Sequence, residues 1–150
     1  MVEGFARLVL EDELLAVYEY SGFDDCPFVE KDEIVHKFDF SKITSYDGIF
    51  IIKKEGLEEP EIHTKFKRKS NGRKIEVQKR VTHLVWPMQK LEKGLVVIDK
   101  ECTNAFKNVN DIWPYPYDKI AFWLMKQIYS DYQKLGHIPK ESAFIIPEGW

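Results

Sequence analysis

Hydrophobic and polar positions along the first third of this chain follow the short period of β-strands. Phe5 to Leu10 and Leu14 to Tyr20 are rich in aliphatic and aromatic residues, with Glu11-Asp12-Glu13 between them. Glu, Leu and Ala would also suit a helix over 11–20. Val17, Tyr18 and Tyr20 favour extended chain, so 4–20 reads as a first β-hairpin. Gly22 to Lys31 reads as a loop. In the next segment Ile34, His36, Phe38 and Phe40 alternate with Val35, Lys37 and Asp39, the signature of a strand with one more apolar face. Ser41 to Gly48 forms a turn region, and Ile49-Phe50-Ile51-Ile52 is the continuous apolar run of a fully buried strand.

Residues 61–82 carry the sharpest local signal. Asn71-Gly72 is the preferred dipeptide for a two-residue type I′ turn, because both central positions then need positive φ. Pairing Ser70 with Arg73 sets Phe66 opposite Val77 and Ile62 opposite Val81 on one side of the hairpin. The other side then gathers Lys65, Lys67 and Lys69 with Lys74, Glu76, Gln78 and Arg80, and places His63 opposite Arg80.

Trp86-Pro87 ends that run, Gly94 to Lys100 predicts another strand, and Asn104 to Pro116 reads mostly as loop. A helix is expected from about Pro116 or Asp118 to Leu135, with Pro suited to its first turn and Gly136 to its stop. Ile120, Trp123, Leu124, Ile128 and Leu135 make its apolar stripe, widened by Phe122, Met125, Tyr129 and Tyr132. Lys119, Lys126, Ser130, Gln133 and Lys134 are its polar positions. Ala143 to Ile146 adds a short last strand. Strands first and helix last predict an α+β fold: a mostly antiparallel, curved sheet of about six or seven strands packed on one long C-terminal helix.

Composition narrows this picture without redirecting it. The 150 residues fit one domain that buries about two-thirds of its unfolded surface, without a disulfide or metal staple. Cys26 and Cys102 sit in no paired-ligand pattern, so a reducing compartment is expected. No basic stretch followed by an apolar run opens the chain, and its longest apolar run, Ile120 to Met125, is too short for a membrane span. A cytoplasmic location and no membrane association follow as expectations.

Charge changes the picture more. Residues 1–61 hold 16 acids and 6 bases, residues 62–107 hold 12 bases and 4 acids, and the net charge is −3. Such polarity means that acidic and basic parts either fold together or present opposed patches. The cations concentrate in the hairpin, where Lys65, Lys67, Lys69, Lys74 and Arg80 are the candidate partner-binding residues. Closely spaced cations on a two-stranded ribbon can engage phosphates. They can also be a solvated face that blocks edge aggregation, or meet an acidic protein surface. A protein partner is preferred over nucleic acid, because the chain is acidic overall and Phe66 lies away from the basic side in this register.

Catalytic signals are weak. His36, His63, His83 and His137 lack a metal-ligand spacing and are read as buried, hydrogen-bonded core histidines instead of metal ligands, with His36 and His83 on apolar faces and His63 on the basic face. Glu11-Asp12-Glu13 and Asp24-Asp25 fall in turns, where carboxylates serve local backbone bonds. The acidic surroundings of Cys26 raise a thiol pKa instead of activating it. Trp113-Pro114-Tyr115-Pro116-Tyr117 is either a partner-binding knob or the element that fastens the start of the helix to the sheet. No phosphate loop, nucleophile elbow or metalloprotease motif is present. We therefore expect a non-catalytic interaction domain, like small accessory, inhibitor or immunity proteins in size and charge, with no cofactor, no metal and no catalytic residue. A nucleic-acid-binding module built on 65–80 is the alternative, and an enzyme whose histidines and acids converge in a pocket is a third reading.

Overall fold

The computed structural model describes residues 2–24, 45–103 and 115–146. Seven strands are seen among them: β1 (Val2–Glu11), β2 (Leu15–Asp24), β3 (Gly48–Lys53), β4 (Glu61–Arg68), β5 (Lys74–Val81), β6 (Val96–Lys100) and β7 (Glu141–Ile146). Two α-helices join them, α1 (Pro87–Glu92) and α2 (Lys119–Leu135), with a single 3₁₀ turn at Lys54–Gly56. Five strands make an antiparallel sheet in the order β6-β3-β2-β1-β7, while β4 and β5 pair only with each other. The architecture is α+β, as the order of strands and helix predicts.

The sheet turns one face toward α2. On that face Ala6 stands beside Tyr20, Tyr18 beside Phe50, and Ile52 between Ala16 and Val96. All are buried, and Ile120, Ala121, Leu124, Met125, Ile128 and Tyr129 of α2 close over them. The Tyr18 and Phe50 rings stack with centroids 5.3 Å apart, a geometry favoured by ring quadrupoles. Gly22 lets the helix approach: a Cβ there would come within 2.1 Å of the Ile120 side chain. Among the acids between β1 and β2, Asp12 has turn chemistry, its Oδ1 accepting from the Leu14 and Leu15 amides at 2.8 Å. Those two bonds hold its carboxyl below the ordinary value.

Several expectations need correction. The run 49–52 is buried on one face only: Phe50 and Ile52 face the core, whereas Ile49 and Ile51 are half-covered on the other side. Pro87 does more than end a strand. It occupies the first turn of α1, where its missing N–H costs nothing. On α2, Lys119 at the start and Gln133 near the end are buried while Leu135 is exposed, so these positions reverse the expected polarity. Trp123 is half-buried. The histidines of the described residues are not core residues: His63, His83 and His137 are exposed, bonded to Glu61, Glu58 and the Ile138 carbonyl respectively. The expected strand 34–40, His36, Cys26, Asp25 and Trp113-Pro114 lie outside the described residues.

Candidate nucleic-acid interface

The basic hairpin forms, but in a different register. Lys65 pairs with Val77, Phe66 with Glu76, Lys67 with Ile75, Ile62 with Arg80 and Glu61 with Val81. The expected Phe66–Val77 and Ile62–Val81 pairs are therefore off by one position. The turn is the immediate cause. Lys69 N–H donates to the Arg73 carbonyl at 2.8 Å, and Gly72 N–H donates to the Lys69 carbonyl at 2.9 Å. Ser70 and Asn71 thus make a tight turn, and Gly72, at φ 82°, takes the left-handed position of a three-residue loop. Asn71 steadies this loop by accepting from the Arg73 amide at 3.1 Å.

The deeper cause is solvation. Hydrophobic alternation fixes register only where one face is buried. Every residue of β4 is exposed, as is every residue of β5 except the half-buried Val81. The ribbon stands clear of the sheet with both faces in water, so no core selects the pairing of Phe66 with Val77.

This register splits the candidate residues. Lys65, Lys67 and Lys69 lie on one face with Arg73, Ile75, Val77 and Lys79. Lys74 and Arg80 lie on the opposite face with Arg68, Ile62 and Phe66. The single five-cation face expected from the sequence therefore does not exist, and both faces carry cations. Apolar side chains stand among them, with Phe66 at 70% exposure and Ile62 at 59%. Residues 61–81 hold eight Lys and Arg against Glu61 and Glu76, a net of +6, which leaves −9 for the rest of the −3 chain.

The base of the ribbon is anchored. Gly136 caps α2 at φ 80°, and the Arg80 guanidinium lies over it, 3.2 Å from where a Cβ would sit. A cation at a helix C-terminus complements the helix dipole. Just beyond β5, the Gln133 side chain clamps the backbone of His83, accepting from its amide at 2.9 Å and donating to its carbonyl at 3.1 Å. The His83 ring meets Glu58 at 3.1 Å, and Lys90 reaches the same carboxylate at 3.0 Å. Burial pushes the Glu58 carboxyl up, but the bonds from His83 and Lys90 outweigh it and hold the carboxyl below its usual value.

Beside this base lies a cleft of about 410 Å³, lined in part by His83, Val85, Trp123 and Lys126. Lys126 Nζ sits over two indoles, 4.4 Å from the Trp123 centroid and 5.0 Å from that of Trp86. The cleft's imidazole meets Glu58, and its ammonium lies over the two rings.

A second polar cluster went unmarked in the sequence. Asp118 is fully buried, caps α2 by accepting from the Ile120 amide at 2.9 Å, and accepts from the Tyr20 hydroxyl. The Tyr20 hydroxyl in turn accepts from the Cys102 amide at 3.2 Å, and Cys102 Sγ lies 3.7 Å from the Asp118 carboxylate. Burial raises the Asp118 carboxyl above its ordinary value despite these bonds. Sealed from solvent, this cluster ties the start of α2 to β2 and offers no surface to a substrate. Aspartate just before a helix was its one legible signal.

Among the described residues, no group of three or more His, Cys, Asp or Glu side chains could hold a metal ion. Nor is any described helix long and apolar enough to cross a membrane. No family model, curated protein or solved structure matches this chain.

Proposed function

We propose that this chain is a non-catalytic binding domain whose β4–β5 ribbon engages nucleic acid. The observation that carries this reading is the two-faced exposure of a ribbon with eight cations and two acids. Closely spaced, exposed cations gain by releasing condensed counterions from a phosphate backbone, whether single-stranded or duplex.

The acidic remainder of the chain does not cancel this attraction. Eight residues per strand carry the tip cations roughly 26 Å along the ribbon, at about 3.3 Å per residue. That is about three times the ~8 Å Debye length at physiological salt. The tip therefore acts largely independently of the body's −9.

A protein partner remains the second reading, favoured by Ile75 and Val77 standing among Lys65, Lys67 and Lys79 on one face. An acidic surface with apolar patches would match that face, and charge reversal there would slow association. Fluorescence anisotropy with labelled generic RNA and DNA at 0.05 M salt separates the two. Binding by the wild-type protein that is lost in Lys67→Glu/Lys69→Glu, with unchanged circular dichroism, supports the nucleic-acid reading. Absence of binding to every oligonucleotide at that salt overturns it.

A further inference from the structure

We infer that the ligand of the ribbon is single-stranded nucleic acid, with one base stacked on Phe66. This deepens the nucleic-acid reading and rests on it. Stacking requires an accessible ring beside cations that hold the backbone, since every base offers a π-face and every nucleotide a phosphate. Phe66 meets both needs. Its ring is 70% exposed near the middle of β4. On the same face Arg68 is two residues along the strand, and Lys74 and Arg80 stand on the neighbouring strand.

The opposite face offers no ring. Its apolar residues, Ile75 and Val77, are β-branched aliphatics at 38% and 36% exposure. The ligand therefore has a preferred side. On that side Glu76 faces Phe66 directly, and like-charge repulsion keeps a phosphate away from the ring itself. Phosphates are directed instead to Arg68 and Lys74 at the tip, leaving the space over Phe66 for a base. Bases locked in a duplex cannot reach a ring in this way, so the geometry selects unpaired strands. Stacking by itself does not distinguish ribose from deoxyribose.

The test uses the whole chain and three fluorescein-labelled probes: a 12-mer of uridine, a 12-mer of thymidine and a 12-base-pair duplex. Wild type is expected to bind both single strands more tightly than the duplex. Phe66→Leu keeps apolar bulk but removes the π-face, and should weaken single-strand binding roughly tenfold or more. Phe66→Trp should retain it, and Ile75→Ala on the other face should stay within about twofold. Equal binding by the two single strands is expected; a preference for either still supports stacking and assigns the source. Two outcomes overturn the inference while leaving the nucleic-acid reading standing. One is Phe66→Leu binding like wild type while Lys67→Glu/Lys69→Glu abolishes binding. The other is a duplex preference indifferent to Phe66. Failure of wild type to bind any of the three probes overturns both.

Discussion

At the scale of single residues, burial decides most of what each side chain does. Leu124 is fully buried beneath the sheet, so Leu124→Ala should cost about 2–5 kcal/mol through lost transfer energy and a residual cavity. A chemical-denaturation midpoint that does not move would place that stripe of α2 on the outside. Asp118 gives a sharper test because its carboxyl is raised by burial. The fold then binds a proton more tightly than the unfolded chain does. Stability from this group is therefore greatest below the ordinary value of 3.8 and falls as pH rises toward the raised value. Asp118→Asn cannot ionise and can still cap the helix, so this fall should vanish from a pH series of unfolding free energies. A series identical to that of wild type would mean that the carboxyl is not perturbed. The placement of Leu124 and the stop at Gly136 were legible in the sequence, because helical periodicity and a terminal glycine are strong local signals. The start was open between Pro116 and Asp118, and the structure puts the cap at Asp118, leaving Pro116 outside α2. The burial of Lys119 and Gln133 was not legible. The burial of Gln133 goes with a contact distant in the chain, to the His83 backbone, which no local pattern encodes.

At the scale of elements, the contrast between β1–β2 and β4–β5 shows where periodicity stops being informative. The first hairpin packs one face on a helix, and its apolar alternation locates its strands. The second has no buried face, so the same reasoning placed Phe66 opposite Val77 when it pairs with Glu76. Turn chemistry settled the matter, and a three-residue loop and a two-residue loop both accommodate Asn71-Gly72. The distinction matters for function, since one step of register moved Phe66 from an imagined apolar face to a cationic one. Gly72 carries this loop at φ 82°, and alanine in that conformation costs about 1–2 kcal/mol. Because a two-stranded hairpin is only marginally stable in water, Gly72→Ala should abolish amide protection in β4 and β5. Protection in the five-stranded sheet should be unchanged. Equal loss of protection in both would show that the ribbon and the sheet unfold as one unit.

At the scale of the whole molecule, the chain separates its charge, placing +6 on an exposed ribbon and −9 elsewhere. The concentration of cations was plain in the sequence, but their distribution over two faces was not. A separated ribbon should behave as a local polycation, and its affinity should report how many phosphates it neutralises. The most direct measurement is therefore the salt dependence of binding to a labelled single strand, for wild type and for Arg68→Glu/Lys74→Glu. For single strands the log–log slope is about 0.7 per neutralised phosphate. Wild type should give a slope equivalent to several phosphates, and the double variant should lose at least about 1.4 of it if Arg68 and Lys74 each meet one. A wild-type slope near zero, or one unchanged by reversing both Arg68 and Lys74, would contradict the proposal that the β4–β5 ribbon is a nucleic-acid interface.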